Sequence, residues 1–323
     1  MRAWLRTRSK RPASKREDDR GKKSLPQSIV RNAEPEELGT LPKNLQEWTS
    51  GFIELPGTKN VLSSSAFDPT GCFVAEDKGS IVGCVAVTNL PRKNWLVIRY
   101  LAAKRPQSRV YAVEKLLSRA LQYVETKKPE FLRATTPSMQ PYVDVYKSFA
   151  FKPIRRDFRI TWDLTKTPES PTKQVEVREV TEKTAPEIAK VLVESIRPYW
   201  DWRTEEQGGE DAVGQKFQEG IKKGERWLSG SVGKEVVGLT GLIPDYYKTG
   251  DARFRGTFVV PKHRGRGYGL TMMSQASSWA KKLGQDKMTV YTFSYLESLA
   301  PGALLYIKSG GKIESEYLQM QRA

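Results

Sequence analysis

The sequence predicts an α+β (mixed α/β) fold built twice, as two tandem domains, each a mostly antiparallel central sheet flanked by helices. Three observations carry this. Strand-like segments of alternating polarity interleave with helical ones through most of the 323 residues. The order of these segments in the second half recurs, more faintly, in the first. Finally, Pro141, Tyr146 and Lys152 match Pro301, Tyr306 and Lys312 at one constant offset of 160 residues. The polar, proline-containing stretch 164–173 reads as a linker. It divides the chain into a basic tail over 1–24, one domain over 25–163 and a second over 174–323.

In the second half, 174–180 reads as a strand and 184–196 as a helix. Thr184 and Glu187 have capping-box spacing, and Pro186 suits the first turn. Strands over 225–232 and 235–243 join at Gly233-Lys234 as a hairpin. A strand over 254–260 ends at Pro261, and a glycine loop opens a helix reaching about Leu283. A strand over 287–293, a short helix over 301–308 and a last strand over 312–320 complete the half.

The first half repeats the order. A strand over 27–32 precedes an acidic helix start at Glu34–Glu37. A hairpin over 72–76 and 80–88 follows, whose Val82-Gly83 mirrors Val237-Gly238. Then come a strand over 95–101, a long helix over 108–126 and a strand over 131–135.

Composition narrows the function classes. No apolar run approaches the roughly 20 residues that span a bilayer, and the basic N-terminus lacks the apolar core of a secretory signal. The formal charge is +17, of which +14 falls in residues 1–173, half of it in 1–23. This asymmetry fits either an anionic partner for the N-terminal region (nucleic acid, a membrane surface or an acidic protein) or general solubility. Only Cys72 and Cys84 occur, in strand-like segments. They make no disulfide framework or zinc spacing, and read as small buried hydrophobes in a reducing cytoplasm. No metal site is expected.

The most informative stretch is 259–270, Val-Val-Pro-Lys-His-Arg-Gly-Arg-Gly-Tyr-Gly-Leu. Glycines before a helix let the backbone approach a ligand. The first N–H groups of the helix lack internal partners, and its dipole adds positive charge, so the loop suits a phosphate or pyrophosphate. A dinucleotide fingerprint needs Gly-x-Gly-x-x-Gly, whereas Gly265, Gly267 and Gly269 alternate; no P-loop is present.

The Arg-x-x-Gly-x-Gly pattern at Arg264, Gly267 and Gly269, after Val-x-Pro at Val259 and Pro261, resembles the acetyl-coenzyme A loop of the GCN5-related N-acetyltransferases (GNAT). The element order matches that family well over 174–323 and more weakly over 27–163, and tandem arrangements are familiar in it. The resemblance implies an N-acetyltransferase moving acetyl from acetyl-CoA to an amine by direct attack in a ternary complex. Backbone groups of Phe258, Val259 and Val260 would hold pantetheine. The N–H groups of Arg264, Gly265, Arg266, Gly267, Tyr268 and Gly269 would hold pyrophosphate, with guanidinium charge from Arg264 and Arg266; Arg266 reads equally as a solvated loop charge. Tyr306, in Leu-Tyr-Ile-Lys-Ser-Gly-Gly, falls where the family places its general acid, and a phenol matches a thiolate leaving group in pKa. The pattern departs at Gly311, where the family usually has an aromatic residue.

A general base is harder to assign. The strand before the loop has no carboxylate, which leaves Asp245, Asp251 or solvent; His263 is expected to face solvent. Tyr199, Trp200, Asp201 and Trp202, with Tyr246 and Tyr247 after the hairpin, either clamp an amine acceptor by cation–π and ion-pair contacts or pack against the core. The first half lacks glycine between Leu101 and its long helix. It is therefore expected not to bind acetyl-CoA, and to be structural or to enclose the acceptor. The alternatives are a non-catalytic basic scaffold on an inherited fold, or an enzyme using another acyl or aminoacyl donor.

Overall fold

The computed structural model describes residues 28–49, 53, 55–65, 67–90, 94–166, 174–197, 204–205 and 207–322. The N-terminal half runs β1 (Ile29–Asn32), α1 (Pro35–Leu38), α2 (Leu41–Trp48), α3 (Leu55–Leu62), β2 (Phe67–Asp77), β3 (Ser80–Asn89), β4 (Trp95–Ala103), α4 (Val110–Lys127), β5 (Phe131–Pro137), α5 (Tyr142–Ser148) and β6 (Phe151–Asp163). The C-terminal half runs β7 (Glu176–Glu179), α6 (Ala185–Ile196), α7 (Glu210–Lys222), β8 (Arg226–Val232), β9 (Glu235–Ile243), β10 (Asp251–Val259), α8 (Tyr268–Lys282), β11 (Lys287–Ser294), α9 (Pro301–Lys308) and β12 (Lys312–Arg322). The basic tail and most of the expected linker lie outside the described residues. Among those described, no helix is long and apolar enough to cross a membrane.

Helical periodicity explains α4. Val113, Leu116, Leu117, Ala120, Leu121 and Val124 recur at the spacing of one helix face, and all are buried against the sheet. Each buried Val or Leu among them contributes about 1.5–3 kcal/mol. The helix begins at Val110 rather than Ser108, because Pro106–Ser108 forms a 3-10 turn first. The capping box expected at Thr184 is absent: the Thr184 hydroxyl instead accepts the Thr181 N–H at 3.0 Å. A capping box forms at Glu34 and Glu37, where the Glu37 carboxylate takes the Glu34 N–H at 2.8 Å. Cys72 and Cys84 are free and buried. Burial pushes the Cys72 thiol up to about 12, so it stays a neutral, inert hydrophobe.

Among the described residues twelve strands join one sheet, in the order β1-β2-β3-β4-β5-β12-β6-β11-β10-β9-β8-β7. The two halves therefore exchange their last strands. β6 leaves the N-terminal half and pairs with β11 from Lys287↔Asp163 to Ser294↔Arg156. β12 returns to pair with β5 from Tyr317↔Pro137 to Arg322↔Leu132. The exchange carries the cores with it. Phe158, Ile160 and Trp162 alternate inward along β6 and complete the C-terminal core beneath α8 and α9, while Met320 of β12 enters the N-terminal core.

The two halves also share backbone features. Gly83 faces Ala103 across β3–β4 as Gly238 faces Val259 across β9–β10. Three residues earlier on the second strand of each pair, Tyr100 and Gly256 both have positive φ, at 60° and 125°. Ala150 and Gly310, at the 160-residue offset, do so too, at 64° and 90°.

Candidate functional site

The site begins where two parallel strands part. β10 and β11 pair only over Asp251↔Lys287, Ala252↔Met288 and Arg253↔Thr289. Beyond Arg253 a bulge shifts the β9–β10 register between Phe254 and Gly256. A Cβ at Gly256 would lie 3.0 Å from the Phe258 ring and 3.2 Å from the Tyr306 oxygen, so only glycine allows this approach. The strands open onto a cavity of ≈ 520 Å³. Its walls are Thr257, Phe258 and Val259 of β10, the 263–270 loop, Phe293 of β11, and Gly302, Leu305 and Tyr306 of α9.

The loop forms a cradle. Gly265 and Gly267 have φ of 79° and 84°, and a Cβ on either would meet nothing within 4 Å. Their glycine identity thus serves backbone conformation and open space together. Gly267 caps α8. Among the described residues, no partner takes the N–H groups of Gly265, Arg266, Gly267, Tyr268 or Gly269. These donors sit at the positive end of a 15-residue helix. Gly269 differs in role: a Cβ there would press on Leu305 at 3.2 Å, so it permits α8 to approach α9. Arg266 is exposed beside the cradle.

Three expectations shift. Arg264 does not present its guanidinium to the cradle alone: it donates to Val259 O at 3.0 Å, Ser195 O at 2.9 Å and Arg197 O at 2.7 Å. It thereby ties the loop to β10 and to the carbonyl end of α6. Val260 is buried, and its N–H goes to Val237 O at 3.0 Å, whereas Phe258 and Val259 line the cavity. His263 is buried rather than solvent-facing, with Nε2 3.2 Å from a Glu235 carboxylate oxygen but without hydrogen-bond alignment.

Tyr306 lies on the cavity wall, its phenol oxygen accepting the Thr257 N–H at 3.2 Å. Phe254 and Trp162 hold the ring edge-on at 5.8 and 5.6 Å. Burial pushes the phenol up to about 12, and the Thr257 N–H opposes this in part. The group is a neutral proton donor throughout the ordinary pH range.

A smaller cavity of ≈ 160 Å³ shares Ile196 and Phe258 with the first. Glu225 lines it, its Oε2 accepting from Trp227 Nε1 at 3.2 Å and Arg255 Nε at 3.1 Å. Glu225 is not legible as a site residue in the sequence, because it stands just before β8 and off β10, the strand that leads into the loop. Asp245 and Asp251 belong to the opposite end of β10 from the loop, and neither lines either cavity. Asp245 instead accepts the Gly250 N–H at 3.0 Å within the β9–β10 turn. Tyr246 packs edge-on against Tyr247 at 5.0 Å, also outside both cavities. Tyr199, Trp200, Asp201 and Trp202 lie outside the described residues, although the nearby Thr204 and Gln207 line the second cavity. No group of metal ligands occurs among the described residues.

The N-terminal half has the same splay but fills it. The Tyr142 hydroxyl accepts the N–H of Ala103, the register counterpart of Val259, at 3.0 Å. Tyr142 is 1% exposed, whereas its counterpart at the 160-residue offset is Gly302, on the wall of the open cavity. Tyr146, the counterpart of Tyr306, is fully buried with an unpartnered hydroxyl.

Residues 191–298 match the model of the acetyltransferase (GNAT) family. A GCN5-related N-acetyltransferase from Sphaerobacter thermophilus superposes with a TM-score of 0.67 at 14% identity, covering 91% of this chain and 95% of that one. A tandem GNAT protein from the clavulanic acid biosynthesis pathway gives 0.59 at 13% identity, covering 91% and 97%. A glucosamine N-acetyltransferase region of a fungal multi-domain GH3 β-N-acetylglucosaminidase gives 0.62 at 14% identity, covering 91% of this chain and 38% of that one. No curated protein matches the sequence. At such identities the likeness speaks for the fold alone.

Proposed function

We propose that the C-terminal half, whose residues 191–298 match the acetyltransferase (GNAT) family model within a fold like that of GNAT proteins, transfers acetyl from acetyl-CoA to an amine by direct attack. The observation that carries this reading is the pair of cavities meeting at Phe258, one bearing a neutral phenol and the other a carboxylate. The cavity wall at Phe258 and Val259 suits pantetheine, and the five N–H groups from Gly265 to Gly269 suit the donor's pyrophosphate. When bound, the donor supplies an activated acyl carbon.

The chain's own groups then have distinct tasks. Glu225 takes a proton from the amine as the new C–N bond forms, the task for which Asp245 and Asp251 are too remote. Tyr306 gives its proton to the thiolate as the C–S bond breaks. Glu225→Gln is expected to lower kcat at neutral pH by about tenfold or more. The deficit should shrink as pH rises toward about 10, where alkylamines lose their own proton. An undiminished kcat at pH 7 would remove Glu225 from the mechanism.

The N-terminal half is structural in this reading, its splay closed by Tyr142. Coenzyme A should raise the melting temperature of the full chain, and Gly302→Tyr should abolish the rise by closing the working cavity in the same way. A Cβ at Gly302 meets only Thr292 Oγ1, at 3.7 Å, so the unliganded chain should melt nearly unchanged. A wild-type chain that coenzyme A does not stabilise would refute the reading. Retained stabilisation in Gly302→Tyr would refute only the account of the closed half.

A further inference from the structure

Gly311 departs from the aromatic residue usual at its position, and the structure shows what stands there instead. A Cβ at Gly311 would lie 2.6 Å from Ile160 Cγ2 and 2.8 Å from Trp162 Cε2. Both belong to β6, the strand given over by the other half. In the N-terminal half the 160-residue counterpart of Gly311 is Phe151, whose ring packs edge-on against Tyr146 at 5.1 Å and 78°. In the C-terminal half the corresponding ring is that of Trp162, at 5.6 Å and 83° from Tyr306. The missing aromatic has been replaced from across the seam.

Trp162 is well placed to fix the phenol. Its ring, 3% exposed, also packs edge-on against Phe254 at 5.7 Å. Its Nε1 donates to Ser309 Oγ at 3.2 Å, and that hydroxyl donates to the carbonyl of Tyr306 at 2.8 Å. One side chain thus holds Tyr306 by its ring and, through Ser309, by its backbone. Among the described residues, the phenol oxygen has one hydrogen bond, from Thr257. We propose that Trp162 is a positioning residue for the Tyr306 phenol, so that the chemistry of the C-terminal half depends on a residue of the N-terminal half. This rests on the reading of Tyr306 as general acid. Misplacing a reacting group by about 1 Å can cost about 10²-fold in rate, so a ring that sets its place has kinetic weight. Glycine at 311 is then the complement of tryptophan at 162, since a larger residue would displace it.

A double-mutant cycle on the full chain tests the proposal, read as thiol release from acetyl-CoA. A panel of aryl-alkyl amines, amino sugars and short peptides supplies the acceptor, the fastest being used throughout. Coenzyme A-dependent melting confirms that each variant folds and binds. Trp162→Leu, which keeps apolar bulk without a ring, is expected to lower kcat by about tenfold or more, and Trp162→Phe by no more than about threefold. In a Tyr306→Phe background the same changes are expected to alter kcat less than about twofold, because no phenol remains to be positioned. Equal losses with and without the Tyr306 hydroxyl would overturn the proposal, as would equal rates for Trp162→Leu and Trp162→Phe. A Tyr306→Phe chain of undiminished kcat would instead overturn the acid reading beneath it.

Discussion

Tyr306→Phe is expected to lower kcat by about 10²–10⁴-fold, the usual worth of a positioned general acid, while KM for acetyl-CoA changes little. The two effects separate because the proposed donor contacts are backbone groups of β10 and the loop, which the substitution leaves in place. Phenylalanine keeps the edge-on packing with Trp162 and Phe254, so the core beneath α9 survives. It removes the acceptor of one part-buried group, the Thr257 N–H, which now donates to the phenol. That loss costs about 0.5–1.5 kcal/mol and should appear as a modest fall in melting temperature. The pH profile gives a second check. Burial pushes the phenol up to about 12, so the wild type should show no alkaline loss of rate from Tyr306 below about pH 11. Retention of more than about a tenth of wild-type kcat would exclude Tyr306 as the acid.

Much of this site was legible because its signals are local. Glycines at Gly265 and Gly267 announce a turn wherever they occur, and a strand before them with a helix after them fixes what the turn faces. Tyr306 was legible through its short motif. The missing parts depend on contacts distant in sequence. Nothing near Arg264 indicates that its guanidinium will clamp Ser195 and Arg197 rather than serve the cradle alone. Glu225 reaches the second cavity only because α7, β8 and β10 converge there. The same limit hid the strand exchange. The sequence predicts a strand over 312–320 for β12 and names none for β6, and alternation is in any case indifferent to which neighbour a strand chooses. Gly311 departs from the family pattern in the sequence alone, but the ring that stands there comes from Trp162, on a strand of the other half.

Gly267→Glu is the second large effect expected. Coenzyme A at a hundredfold excess over its Kd would stabilise the folded chain by about 2.7 kcal/mol, a rise of roughly 5 °C for a protein of this size. The substitution should abolish that rise. Glutamate must adopt the left-handed φ of 84° that glycine takes freely, and its carboxylate would enter the space where the unpartnered N–H groups point. Gly269→Glu should also fail, for a different reason: its Cβ presses on Leu305, so α8 and α9 must separate and the unliganded chain should melt lower too. A Gly267→Glu chain that coenzyme A still stabilises fully would show that the loop is a helix start and nothing more.

The exchanged strands also order events in time. Synthesis delivers the N-terminal half first, yet β5 waits for β12, with Leu132 meeting Arg322 across the ladder. Until β12 emerges, the N-terminal sheet keeps an open edge at β5, and β6 has β11 on one side but no neighbour on the other. Such an edge is a template for intermolecular pairing. The nascent chain therefore passes through an interval in which its oldest part is its most adhesive, and the closing of β12 between β5 and β6 ends that interval for both halves together.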